Sequence, residues 1–410
     1  MRTRSPPRFT ASYLLAAIAA IAVAVQGIVI VNRRLTHAGD FDISREFGRR
    51  FLAGEPLYAG GLHYPYMPTA ALYFAPLALL PPGVGLLLRY VVALGCLGLT
   101  MRFLHAMVCR DQAAPVAPSV TIAALTLLFA SHYVLRDLDD GGPHLILLAM
   151  AVGGIWCVWR GRDAAGAAWL GLAAALKAPT MLVVPFFLWK RQWRLAALTA
   201  AAIGAWIVLP LFWMGPAPWW QHQQQWLRAA LASASGVPSG GAKESEERVQ
   251  NQALRPVLAR ACPAADPAAP HRAVPAVVSA VLVVLFAWWS RRPPIGTRDP
   301  TWLLEASAVL ILSVLLAPVA WVQHLVVVIP ALYLIAAAQC SVRGLGKPTT
   351  TAMAVYVVLA VLLNRELLGR ERYLFLLTHG LHTVCLLIVL GVLFLRRPTA
   401  TRVAETIADG

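Results

Sequence analysis

Tyr13-Leu-Leu-Ala-Ala-Ile-Ala-Ala-Ile-Ala-Val-Ala-Val-Gln-Gly-Ile-Val-Ile-Val-Asn32 carries no charged side chain. A helix of about 20 such residues matches the hydrocarbon core of a bilayer, so this stretch is expected to cross a membrane. It follows Met1-Arg-Thr-Arg-Ser-Pro-Pro-Arg8. The apolar run exceeds a signal-peptide h-region, and no clear small-x-small cleavage site leads into a soluble domain, so it reads as a retained anchor. Outward from it the same texture recurs to Leu395, with Pro/Gly-rich or polar breaks between apolar runs. The sequence is 59% hydrophobic and 13% charged, against roughly 45–50% and about 25% in soluble proteins. The fold class expected is therefore all-α, a polytopic membrane protein of about 12 transmembrane helices.

The formal charge of +16 does not indicate nucleic acid here, because Lys and Arg sit in short blocks between apolar runs, where they set topology. With the N-terminus inside, spans are expected near 13–32, 84–104, 118–135, 143–159, 164–177, 179–189, 194–214, 274–290, 301–317, 322–339, 350–364 and 374–394. Residues 1–12 and 396–410 become cytoplasmic tails around a single transmembrane domain over 13–395. The cytoplasmic pieces are then the more strongly basic, as the positive-inside rule demands. Basic blocks flank 164–189 on both sides, at Trp159-Arg-Gly-Arg162 and Lys190-Arg-Gln-Trp-Arg194. A hairpin turning at Lys177-Ala-Pro179 puts both on one side. The segment 69–82 is too short and Pro-rich to cross, and is expected as a re-entrant or interfacial piece. Two large outer loops, 33–68 and 215–273, suit an enzyme that carries its site on loops. The six cysteines show no metal-ligand spacing, and neither a metal nor a cofactor is implied.

Chemistry-bearing residues collect on the outer side. Ile43, Phe47, Arg50 and Phe51 recur at helical spacing, so 43–53 is expected as an amphipathic helix lying on the membrane. Asp40 and Asp42 precede it. Either one caps the helix, or a carboxylate at the edge of a cleft takes the proton of an acceptor hydroxyl. Lys177 sits at the hairpin turn, where an ionisable group among apolar helices marks function or snorkels to the interface. His324 is a hydrogen-bond donor to a leaving phosphate or an interfacial histidine. Arg255 and Arg260, near Asn251 and Gln252, are phosphate clamps or solvated loop charge. Asp137, Asp139 and Asp140 form the densest acidic cluster, which ordinary topology bias also produces. Trp213, Trp219, Trp220 and Trp226 read as interfacial anchors.

Asp40-Phe41 with its short helix, Leu52-Ala-Gly-Glu-Pro-Leu-Tyr58, Tyr64-Pro-Tyr-Met-Pro68 and Ala75-Pro-Leu77 together resemble the opening of glycosyltransferase family 87. That family comprises polyprenyl-phosphate-mannose-dependent mannosyltransferases of the GT-C superfamily. The likeness continues through Gly171-Leu-Ala-Ala-Ala-Leu-Lys177, Asn251-Gln-Ala-Leu-Arg255 with Arg260, and Ala317-Pro-Val-Ala-Trp-Val-Gln-His324. The chain departs from the family at Asp139-Asp-Gly-Gly-Pro-His144, where Gly-Gln-x-Asn is common. It departs also at Gln323, where a Trp-x-His-His run has histidine, and at Lys177-Ala-Pro179, where Lys-Pro is usual. The resemblance implies a GT-C-like fold and a hexosyltransferase at the plasma membrane with its site on the extracytoplasmic face. It also implies a polyprenyl-phosphate sugar donor, a lipid or glycan acceptor, and an inverting displacement with Asp40, or its neighbour Asp42, as base. Lys177, Arg255 and His324 become donor-phosphate candidates, and Tyr64, His144, Asn251 and Gln252 substrate contacts. A lipid flippase or transporter, or a non-catalytic partner in envelope assembly, are the alternatives. No internal repeat supports transport.

Overall fold

The computed structural model describes residues 11–37, 39–59, 66–108, 119–235, 249–262, 273–292, 298–341 and 345–396. Among the described residues every regular element is a helix. In chain order the main ones are α1 (Ala11–Thr36), α2 (Asp40–Ala53), α3 (Thr69–Ala78), α4 (Pro82–Val108), α5 (Ser119–Asp140) and α6 (His144–Trp159). These are followed by α7 (Asp163–Leu176), α8 (Val183–Trp189), α9 (Trp193–Val208), α10 (Pro216–Ser235) and α11 (Leu254–Ala261). The last are α12 (Val274–Trp289), α13 (Pro300–Leu315), α14 (Ile329–Gln339), α15 (Lys347–Val357), α16 (Arg370–Thr378) and α17 (Leu381–Leu395).

Large apolar side chains stand exposed along α1 (Ile21, Val25, Ile28), α4 (Leu87, Leu88, Val91) and α12 (Val277, Val281, Val284). Apolar surface of this extent is at rest in lipid, not in water. Among the described residues four helices are long and apolar enough to cross a bilayer by length and composition, and α16 with α17, bent by 56°, makes a fifth if the bent pair is one span. Seven apolar helices of 10–17 residues are shorter. The fourteen residues of α7, for example, reach only about 21 Å at 1.5 Å per residue. The twelvefold crossing therefore remains an expectation from charge patterning.

Side-chain contacts sort the connections to two ends of the bundle. At one end Lys190 meets Glu305 at 2.7 Å, Arg298 lies over the Trp159 ring, and the Trp302 indole donates to Gln192. At the other, Arg34 meets Asp140, His144 meets Asp137, and Gln323 meets Asp40. Lys177, which contacts His144, and Lys190 thus belong to opposite ends. Between them run a 3-10 turn over Ala178–Leu182 and α8, as a hairpin at Lys177 requires.

The segments expected as loops turn out to be largely helical. α2 starts at Asp40, three residues before the expected helix. Its apolar face, Phe41, Phe47 and Phe51, is buried, and the helix packs closely on α3 instead of lying on lipid, while Ile43 remains exposed. Gly48 permits this approach: a Cβ there would stand 2.5 Å from the Phe74 backbone. The expected outer loop 215–273 contains the twenty-residue α10. Its prolines, 216 and 218, occupy the first turn, where no intrahelical N–H is needed.

Candidate functional site

The α5–α6 turn builds the centre of the site. Asp137, fully buried, receives the Arg89 guanidinium at 3.1 Å on one carboxylate oxygen. Its other oxygen lies 2.8 Å from the His144 Nδ1 and accepts the His144 backbone N–H. Arg89 also donates to the backbone carbonyls of Asp137, Leu138 and Gly142. Such extra hydrogen bonds are what make a buried ion pair tolerable, although the buried Arg89 Nε finds no partner. Gly141 makes the turn possible: its φ is +78°, and a Cβ on it would come within 2.8 Å of Phe41.

Because the carboxylate of Asp137 accepts at Nδ1, the ring of His144 carries its proton there and offers Nε2 as an acceptor. Lys177 Nζ donates to that Nε2 at 2.8 Å. The Tyr66 hydroxyl lies 3.2 Å from the same nitrogen, and its ring faces the Lys177 ammonium. An ammonium has three N–H donors, so His144 aims Lys177 while occupying one of them. His324 stacks beside His144 with ring centroids 4.4 Å apart. Its Nδ1 accepts the Trp321 backbone N–H at 3.3 Å, and the ring also bonds the backbone of Val319. His144, Lys177, Thr180, Ser313 and His324 form the polar wall of a pocket, and the rest of the lining is mainly aliphatic, as at Leu147, Leu310 and Val327.

Asp40, at the first position of α2, is partly buried beside this pocket and accepts the Gln323 amide at 3.1 Å. Burial, then the neighbouring Asp140, push its carboxyl up to about 6; the Gln323 amide and Lys177 act against them, and Asp137 adds to the rise. A carboxylate poised there holds a proton weakly enough to release it near neutrality and strongly enough to take one.

The structure thus brings Asp40, His144, Lys177 and His324 to one end of the bundle. The other residues singled out in the sequence behave differently. Asp42 accepts the Gly39 backbone N–H at 2.9 Å and closes the start of α2, a capping contact. Asn251 and Gln252 act as struts: Asn251 bonds the backbone of Pro318 and Ala320, and the wholly buried Gln252 bonds Leu377 and His382. Arg260 donates to backbone carbonyls of Asn251 and Thr378. Arg255 is exposed on α11 and lies outside the pocket lining. Tyr64 falls outside the described residues. Asp139 and Asp140 are engaged by Arg33, Arg34 and Arg136. Among the described residues no group of three His, Cys, Asp or Glu side chains is placed to hold a metal. The sequence reading missed Arg89, although a lone arginine within an apolar helix was the available signal. It also took Gln323 only as a departure, without seeing the bond to Asp40.

The family model for glycosyltransferase family 87 matches residues 64–318, well over half of the chain. The chain belongs to glycosyltransferase family 87. A relative from Mycobacterium tuberculosis (strain ATCC 25618 / H37Rv), a polyprenol-phosphate-mannose-dependent alpha-(1-2)-phosphatidylinositol mannoside mannosyltransferase, is 24% identical over 317 residues, covering 72% of this chain and 69% of the relative. No solved structure matches. Family membership and the apolar exterior together make the chain a membrane glycosyltransferase. The family 87 match takes in Tyr66, Arg89, Asp137, His144 and Lys177, whereas Asp40, Gln323 and His324 come from outside the matched segment.

Proposed function

We propose that this protein transfers a hexose, mannose in the first instance, from a polyprenyl-phosphate donor to a lipid or glycan acceptor, with inversion at the anomeric carbon. The donor assignment follows the activity for which the mycobacterial relative is named. The basic blocks between spans support an active end on the extracytoplasmic face. The observation that carries the reading is the bond of Asp40 to Gln323, with Lys177 near enough to act on the Asp40 charge and His324 next to Gln323 in the pocket that Lys177 lines, all brought from chain segments far apart in sequence.

In this reading the acceptor hydroxyl attacks the anomeric carbon while Asp40 takes its proton. The bond from that carbon to the phosphate oxygen breaks, and its electron pair leaves with the polyprenyl phosphate. Lys177, aimed by His144, meets the negative charge that grows on the departing oxygen, with the His324 ring beside it, and fixed donors in a water-poor pocket do this best. The aliphatic wall of the pocket suits the first isoprene units of the lipid. Because the base must be ionised, kcat/KM rises with pH through about 6, the midpoint at which Asp40 loses its proton.

The test is transfer from a panel of radiolabelled polyprenyl-phosphate sugars by purified protein. Asp40→Asn should lower kcat by about 10²–10⁴-fold, the usual share of general-base catalysis, with the folded protein retained on gel filtration. Undiminished transfer by that variant would remove Asp40 from the chemistry.

A further inference from the structure

Asp137 stands near the end of α5 and closes the start of α6, accepting the backbone N–H groups of His144 and Leu145. That much is helix capping. Each of its oxygens also takes a side chain, one from His144 Nδ1 at 2.8 Å and the other from Arg89 at 3.1 Å. Beyond the ring stands Lys177, 2.8 Å from Nε2. Side chains from α4, α5, α6 and the residue after α7 are thus joined in one line of hydrogen bonds.

Along this line the carboxylate meets Arg89 directly and Lys177 only through the ring. Accepting at Nε2, the ring holds the ammonium by a single N–H and leaves its other donors for an anion. The opposite tautomer would turn a ring N–H on the ammonium, donor against donor, and push Lys177 out of line. Arg89, anchored on the backbone carbonyls of Asp137, Leu138 and Gly142, pins one carboxylate oxygen and so turns the other to the ring. We propose that Asp137, held by Arg89, is a positioning residue for the donor phosphate. It keeps the proton of His144 on Nδ1, and through that ring it keeps the Lys177 ammonium aimed into the pocket. The inference rests on the transferase reading above.

Asp137→Asn separates this role from capping. A guanidinium presents only donors, so an asparagine amide there turns its oxygen to Arg89 and its NH2 to His144. Nδ1 must then accept and the ring proton moves to Nε2, as when an amide replaces the aspartate behind a triad histidine. In His144→Gln the amide oxygen reaches Lys177 with no tautomer to set. The experiment is a double-variant cycle on the full-length protein in neutral detergent, with farnesyl phosphate as the donor-phosphate probe and farnesol as the uncharged control. Asp137→Asn should weaken farnesyl phosphate about tenfold or more, as expected for a misplaced charge-assisted contact, and leave farnesol unchanged. Added to His144→Gln, it should cost less than about twofold further, the scatter of independent effects. Equal losses in the two backgrounds would make Asp137 a scaffold residue and overturn the proposal. So would unaltered farnesyl phosphate affinity in Asp137→Asn, or an equal loss of farnesol, which would mean a damaged pocket. The wild type supplies a signature that does not depend on whether Asp137→Asn folds. In solid-state NMR of bilayer-reconstituted protein with isotope-labelled histidine nitrogens, the signal missing from His144→Gln should show a protonated Nδ1 and a bare Nε2; the opposite tautomer overturns the proposal. Absence of sugar transfer by wild type, with the binding pattern and the tautomer as expected, would refute the proposed reaction instead.

Discussion

Gln323→Ala removes one hydrogen bond from the carboxylate assigned as the base and touches nothing else in the pocket. The Gln323 amide donates to Asp40 at 3.1 Å and favours its ionised form. A hydrogen bond to a charged group contributes about 1.5–3 kcal/mol, and water reaching a partly buried oxygen replaces part of it, leaving about 1.4 kcal/mol, or one pKa unit. Asp40 should then titrate near 7 instead of about 6. At pH 6.5 its ionised fraction falls from about three quarters to about one quarter, a roughly threefold loss in kcat/KM; at pH 5.5 the loss is about eightfold, and at pH 8.5 it all but vanishes. The assay is kcat/KM against pH, in parallel for wild type and variant, with donor in the dilute limit. A profile whose acid limb coincides with that of wild type refutes Asp40 as the titrating base. A loss of equal size at every pH assigns Gln323 to positioning alone.

Two further substitutions test the scaffold. Gly141→Ala forces an L side chain to a φ of +78° and a Cβ into Phe41. The backbone strain alone costs about 1–2 kcal/mol, so thermal unfolding in detergent should move down by several degrees, and an unchanged melting temperature would contradict the turn geometry. Lys190→Met takes away a cation from the buried Glu305, which should cost about 3–5 kcal/mol. Pairing it with Glu305→Leu should recover much of the loss in the same melting experiment, and no recovery would show that the two residues act independently.

The helices were legible in the sequence because lipid imposes one rule, long apolar runs interrupted by basic or Pro/Gly breaks, and each expected span has a helix at its place in the structure. What lies between them was less legible. α10 was folded into the loop 215–273 because its mixed polar and aromatic composition shows no long apolar run. α2 was read as a membrane-surface helix because amphipathic spacing is the same whether the apolar face meets lipid or, as here, another helix. Lys177, His324 and Asp40 stood out as ionisable groups at the ends of expected spans, and the structure brings them to one end of the bundle. Asn251 and Gln252 were misjudged for a plain reason: an amide that holds two backbones together looks, in sequence, like one that holds a substrate. Gln323 drew notice only for what it was not, since hydrogen bonding across 283 residues leaves no local trace.

The buried ionic contacts at the two extremities of the bundle also fix its axial register. Helices whose contacts are purely aliphatic have little to set their relative height in lipid, where no hydrophobic force favours one depth of overlap. Sliding α8 past α13 by one turn, about 5.4 Å, would separate Lys190 from Glu305. The same slip would drag Lys177, one residue before the 3-10 turn that leads into α8, away from His144. Two pins at opposite heights leave that hairpin a single vertical setting, the one that keeps an ammonium level with an imidazole across the mouth of the cavity.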